Sequence, residues 1–255
     1  MGGDAGADTG GRFGLMGDIR IGTAGWSIPR ALADQFPGEG SHLERYARRM
    51  NAVEVNSSFY RPHKRPVWER WAASTPDGFR FSVKTPRLLT HDQRLTDPEP
   101  ALDAFAEQVA GLGDKLAVLL VQLPPSLIFD ADVAAPFFAA VRLRFDAAVA
   151  CEPRHAGWFT PEADGLLSDW KVARVAADPA KVPAAAEPGG WTGLIYARLH
   201  GSPRVYYSAY PADVLADQAR RLKALSANGP AWCILDNTAG GAALGDALTV
   251  MDVAG

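Results

Sequence analysis

Residues 52–62 read AVEVNSSFYRP, and the first five decide how the rest of the chain divides into elements. Val53 and Val55 alternate with Glu54 and Asn56, and side chains two apart on a strand share a face. One face is aliphatic. The other carries a carboxylate and an amide just ahead of the polar break Asn56-Ser57-Ser58. Parallel α/β sheets are built from such strands, since helices cover the sheet and the C-terminal strand ends form the active face.

The same unit recurs along the chain. Apolar runs start at Ile19 (IRIGTAG), Ala52 (AVEVNSS), Phe79 (FRFSVKT), Leu116 (LAVLLVQLP), Ala147 (AAVACEP), Val172 (VARVAAD), Leu194 (LIYARLHG) and Ala231 (AWCILDN), eight in all. Helix-period segments such as LERYARRM, VWERWAAS, ALDAFAEQVAGL, VAAPFFAAVRL, EADGLLSDW and PADVLADQARRLKAL lie between most of them. Strands alternating with helices predict a parallel sheet with right-handed crossovers, and eight units at this length predict an α/β fold, a single (β/α)8 TIM-type barrel. The pattern is irregular between the sixth and seventh runs, where PAKVPAAAEPGGW (residues 179–191) holds three prolines and two adjacent glycines. An open doubly wound sheet is the second choice, but GTAGW after the first run lacks the third glycine of a dinucleotide fingerprint.

A chain of 255 residues, 47% hydrophobic, is long enough for one barrel-sized core. The formal charge of −3 supplies no single-signed field to draw the protein onto nucleic acid or a membrane surface. Residues 1–17, MGGDAGADTGGRFGLMG, have neither the basic n-region nor the apolar h-region of a signal peptide and are expected to be a disordered tail, with one domain over 18–255. No run approaches a membrane span. Cys151 and Cys233 sit in apolar runs as small core residues of a reduced, cytoplasmic protein.

If the expected barrel forms, reading each run to its end places Glu54 and Asn56, Lys84, Gln122, Glu152, Asp178, Arg198 and His200, then Asp236 and Asn237, at the active face. One acid at a strand end is commonly a helix cap or half an ion pair. Seven consecutive strands ending in polar groups argue for a site, because charges gathered at low dielectric perturb one another as catalytic groups require. Glu54 with Asn56, Ser82 with Lys84, and Arg198 with His200 share faces. The fifth exit, CEPRHAGWFTPEA, adds Arg154, His155 and the stacking surface of Trp158, before Thr160 and Pro161 open a helix. After the eighth run, Asn237 or Thr238 is positioned to cap a helix, and Gly240 and Gly241 would let backbone N–H groups approach an anion.

The stretches IRIGTAGWS, VEVNSSFYR, FRFSVKTPRLLTHD, VQLPPS, EPRHAGWF, YARLHG and DNTAGGAAL together resemble the YecE-like family, a group of TIM-barrel proteins classed as a domain of unknown function. The resemblance runs from about Asp18 to near the C-terminus. It implies the barrel fold and a site at the motif positions, and it implies no particular reaction. The chain departs from the family at Ser27–Arg30, which lacks the aromatic of that loop, one wall of the pocket.

Three function classes follow. A metal-independent enzyme ranks first, acting on a small anionic or sugar-like molecule with Glu54, Glu152 or Asp178 as general acid or base and Lys84, Arg154 and Arg198 as electrostatic stabilisers. Lys84 is expected to stay charged among carboxylates, which argues against a Schiff base. Second is a metal-dependent phosphodiesterase acting on nucleic acid, its divalent ion held by ligands from His91, Glu152, His155, Asp178, His200 and Asp236. These residues show no tight ligand spacing, and three neighbouring cations would repel the metal. No cofactor is expected otherwise. Third is a non-catalytic sugar- or nucleotide-binding protein using Trp26, Tyr60, Trp158, Tyr206 and Tyr207 as a stacking cage.

Overall fold

In a computed structural model, residues 18–255 are described, so the expected tail over 1–17 lies outside the described residues. The chain starts with β1 (Ile19–Thr23), α1 (His42–Ala47), β2 (Ala52–Val55), the single turn α2 (Ser57–Tyr60) and α3 (Arg65–Ala73). β3 (Arg80–Lys84), α4 (Glu99–Val109), β4 (Leu116–Gln122), α5 (Ala131–Arg144), β5 (Ala148–Glu152) and α6 (Pro161–Asp169) follow. The run beginning at Val172 is divided into β6 (Val172–Arg174) and β7 (Ala176–Asp178). The last elements are β8 (Gly189–Gly190), β9 (Ile195–Leu199), α7 (Ala212–Ser226), β10 (Ala231–Leu235) and α8 (Ala243–Ala254). The proline-rich stretch forms no α-helix, only a 3-10 turn at Pro183–Ala186 and the two-residue β8. Thr160 caps α6 by accepting the Ala163 N–H at 3.2 Å, with Pro161 in its first turn.

The fold is α/β with two sheets, one ordered β1-β10-β9-β7 and the other β2-β3-β4-β5-β6-β8. Every pairing is parallel except β6 with β8. The sheets meet twice. Ala24 forms a parallel bridge with Glu54, where the Gly25 N–H donates to the Glu54 carbonyl at 2.8 Å. The run 172–178 passes from one sheet to the other at Val175: β6 pairs with β5 and β7 with β9. Gly22 permits the first junction, because a Cβ there would stand 2.3 Å from the Ala52 carbonyl oxygen.

Period-two alternation sorts the strand side chains into two cores. Val53, Val55, Phe81, Val83, Leu119, Val121, Val149 and Cys151 pack with the helices, joined by Phe105, Phe137 and Leu248. The alternate positions, Ala52, Val118, Leu120, Ala148, Ala150, Ala173, Val175, Tyr196, Trp232 and Ile234, form a separate core drawn from both sheets. Tyr196 and Trp232 stack there, with centroids 6.0 Å apart. Burying each Val or Leu contributes about 1.5–3 kcal/mol. A strand therefore cannot slip by one residue without exchanging its two faces.

Candidate functional site

The second core ends in charge. Two residues beyond Ala52, Leu120, Ala150, Tyr196 and Ile234, on the same strand faces, stand Glu54, Gln122, Glu152, Arg198 and Asp236, and all but Gln122 are buried. Arg198, fully buried, is the hub. Its Nη2 and Nε bind the Glu54 carboxylate at 2.7 and 3.0 Å, its Nη1 binds Glu152 Oε2 at 2.5 Å, and its Nη2 also reaches Asp236 Oδ2 at 3.0 Å. Tyr196 OH donates to Glu54 Oε2 at 2.8 Å and also lies 2.7 Å from Ser82 Oγ.

His200 sits between two of these acids, with Nδ1 2.9 Å from Asp236 Oδ2 and Nε2 3.0 Å from Glu152 Oε1. A carboxylate opposite each ring nitrogen calls for a proton on both, so the ring is held as imidazolium. Burial alone would lower its pKa, but the Glu152 charge and the two carboxylate hydrogen bonds outweigh burial and raise it. Glu152 is held well below the usual carboxylate range: burial opposes ionisation, and Arg198, His200 and Arg154 overcome it. Asp236 is lowered in the same way by Arg198 and His200. Arg154 Nη2 completes the group at 2.7 Å from Glu152 Oε1.

Three carboxylates (Glu54, Glu152, Asp236) thus face three cations (Arg198, His200, Arg154). Lys84 is a fourth. Its Nζ donates to Gln122 Oε1 at 2.6 Å and lies 4.1 Å from the centre of the Phe59 ring, with no carboxylate in ion-pair contact. Burial and the Arg198 charge lower its pKa to about 8 against the pull of Glu54, Glu152 and Asp236. The acids do not hold the amine at its ordinary pKa, because they are already matched by other cations. Asn56 Nδ2 reaches Asp236 Oδ1 at 3.4 Å, while Asn56 Oδ1 and Arg154 Nε are buried without partners.

Other expected residues stand elsewhere, and strand parity explains three of them. Asp178 shares its face with Arg174 and Ala176, directed away from the second core, and is exposed, its Oδ1 accepting from Tyr210 OH at 2.7 Å. Asn237 falls on the opposite face from Asp236 and donates to Asp246 Oδ2 at 2.7 Å and to the Ser208 carbonyl. Neither Asn237 nor Thr238 caps α8, whose N-cap is Ala242 with no side-chain bond. His155, one residue off the face of Glu152 and Arg154, accepts the Gly157 N–H at 3.0 Å.

Trp158 is a core residue, 1% exposed, donating to the Leu127 carbonyl. Trp26 packs edge-on against Trp71 beside a cavity of about 290 Å³ shared with His42 and Arg70. Tyr60 is 77% exposed. Gly240 lies against the Tyr207 carbonyl, where a Cβ would stand 2.9 Å from its oxygen, and Gly241 has φ +78°. Tyr206 is edge-on to His200 with centroids 5.7 Å apart, and Arg204 covers the Tyr207 ring. Five aromatics do not converge on one cage. A cavity of about 630 Å³, lined by Arg20, Arg80, Val118 and Trp232, opens at the opposite end of the strands. Tyr196 was missed in the sequence, although its position two before Arg198 places it on the same face.

Among the described residues no three His, Cys, Asp or Glu side chains stand ready to hold a metal ion. The Arg198 guanidinium lies between the acids that would have served. His91 is packed edge-on against Phe59 with its Nδ1 2.9 Å from Thr90 Oγ1. Cys151 and Cys233 are buried free thiols, and no helix among the described residues is long and apolar enough to cross a membrane.

Known proteins share this fold and sequence pattern. A protein of the same pattern in Enterococcus faecalis superposes with a TM-score of 0.77 at 22% identity, over 92% of this chain and 95% of that one. A Thermotoga maritima protein superposes with a TM-score of 0.75 at 23% identity, over 92% and 98%. At these identities the likeness shows the fold alone. UPF0759 protein YecE of Escherichia coli is 32% identical over 106 residues, 42% of this chain and 38% of that protein. UPF0759 protein YunF of Bacillus subtilis is 29% identical over 149 residues, 56% of this chain and 53% of that protein. The chain thus spans between about two fifths and half the length of these curated relatives. The pattern of the family described as "Protein of unknown function DUF72" matches residues 20–255, and the chain belongs to that family.

Proposed function

We propose that this protein is an enzyme that binds a small anionic molecule, phosphate- or carboxylate-bearing, at the charged strand ends and acts on it by acid–base chemistry. One observation carries the reading: the cluster has one cation more than it has carboxylates, and that cation, Lys84, lacks an acidic partner. A bound anion would balance it. Arg154, with a buried and unpartnered Nε, offers a second charge-assisted donor. His200 is the proton carrier, and Glu152 orients it. Arg198 and Glu54 act as positioning residues beneath them. The unpartnered Asn56 Oδ1 would accept from a hydroxyl of the ligand.

The architecture in this reading is a closed (β/α)8 barrel whose mouth is the cluster. The Ala24–Glu54 bridge and the passage of residues 172–178 between sheets support closure at both seams. The two buried free thiols fit the cytoplasm. The phosphodiesterase alternative lacks a metal-holding donor group among the described residues, so nucleic acid is not the favoured partner.

Calorimetric titration with inorganic phosphate, 3-phosphoglycerate and citrate tests the proposal. At least one is expected to bind, and Arg154→Gln is expected to weaken it about 10–100-fold, the loss of one charge-assisted hydrogen bond. Binding that Arg154→Gln leaves unchanged, or no binding of any of the three, overturns it. So does stoichiometric zinc, manganese or iron in protein purified without chelator.

A further inference from the structure

Two lysine amines can be compared directly, the half-buried Lys115 and the buried Lys84. Lys115 Nζ donates to three oxygens, the carbonyls of Ala72 and Thr75 and Thr75 Oγ1, at 2.6–3.2 Å, which satisfies all three protons of an ammonium. Lys84 Nζ has one acceptor, Gln122 Oε1. When such an amine, held by that single bond, gives up its proton, its lone pair is free for an electrophile. Its position suits the role: the last residue of β3, 7% exposed, beside Gln122 and Phe59, on the strand face that carries the charged cluster. Arg198, Glu54, Glu152 and Asp236 are its charged neighbours, and the three acids are each bound to Arg198.

We propose that Lys84 condenses with an aldehyde or ketone carbonyl of the bound anion, so that the substrate is an oxo-acid or an aldehyde or ketone phosphate. This rests on the anion-binding reading above and names its substrate class. The Nζ lone pair forms a bond to the carbonyl carbon while the C=O π pair moves to oxygen. That oxygen takes up protons and leaves as water, and the amine gives up its protons, leaving a C=N bond to Lys84. No oxidant or reductant enters. A proton from solvent then charges the imine nitrogen, and the resulting iminium withdraws electrons from the adjacent carbon, which makes C–H or C–C bond breaking there accessible.

The test incubates the full chain at pH 8 with pyruvate, glyoxylate or glycolaldehyde phosphate and sodium cyanoborohydride, then locates reduced adducts by peptide mass spectrometry. The expected result is a single adduct on Lys84 with at least one probe, formed at least tenfold faster than on Lys64, Lys171, Lys181 or Lys223, and slowed by inorganic phosphate. Lys84→Arg is expected to lose the selective adduct, whereas Lys181→Arg, outside the cluster, is expected to keep it. Adducts spread evenly over the lysines overturn the proposal. Absence of any adduct while phosphate binds overturns the imine step and leaves anion binding standing, whereas absence of both removes the two readings together.

Discussion

Arg198 holds three carboxylates at once, and its removal would leave Glu54, Glu152 and Asp236 buried without the guanidinium that all three are bonded to. Breaking a buried pair by deleting one partner costs about 3–5 kcal/mol, because the stranded charge has neither water nor a counter-ion. Arg198→Ala is expected to lose at least that much in urea unfolding. Arg198→Lys, which keeps the charge but loses the bidentate fork on Glu54, is expected to lose less. A loss below about 1 kcal/mol for the alanine variant would show that the acids protonate and need no partner. At this scale the residue types at Glu54, Lys84, Glu152, Arg198, His200 and Asp236 were legible in the sequence. Their pairing was not, since Glu54 and Arg198 are 144 residues apart and meet only across the two sheets.

The seam between β1 and β2 depends on a missing side chain. An added Cβ at Gly22 would meet the Ala52 carbonyl oxygen at 2.3 Å, and backbone on the neighbouring strand cannot swing aside as a side chain can. Gly22→Ala is expected to destabilise the protein by more than about 2 kcal/mol, beyond ordinary overpacking at the low end of its range. It should also deprotect the Gly25 amide, which bonds to Glu54, in hydrogen exchange. Unchanged protection at Gly25 would show that the seam does not rest on this contact. Strand faces were readable from local alternation at Glu54, Lys84, Glu152 and Arg198. The same rule, carried through VARVAAD and AWCILDN, separates Asp178 from Ala177 and Asn237 from Asp236. The cap of α8 was beyond local reading, because Asn237 is taken by Asp246 one helical turn into that helix.

For the whole molecule the cluster makes stability depend on pH in opposite senses. His200 has a raised pKa in the folded state, so its contribution is complete below the unfolded value of about 6.5 and fades as pH rises through the folded value. Glu152 and Asp236 have lowered values, so theirs is complete above their unfolded pKa and is lost as pH falls through the folded one. Lys84, lowered from 10.5 to about 8, destabilises the fold while protonated, and that penalty is relieved between about pH 8 and 10.5. Urea midpoints against pH are expected to peak near pH 5–6.5, fall on the acid side and decline above 6.5. In Lys84→Met the decline above pH 8 should be steeper, because the relief from Lys84 is gone while burial still opposes ionisation of the Cys151 and Cys233 thiols. An unchanged slope in this variant would assign the relief to another group.

Alternation by itself determined the α/β class, the strand and helix order, the irregular stretch before β9 and most of the polar strand ends, because period-two burial is set by neighbours along the chain. Tertiary structure alone decided which acid meets which cation, that Lys84 is the one left over, and that Trp158 belongs to the core. Those outcomes depend on inter-strand register and on a count of charges within one small volume, and no local window of the chain contains either quantity.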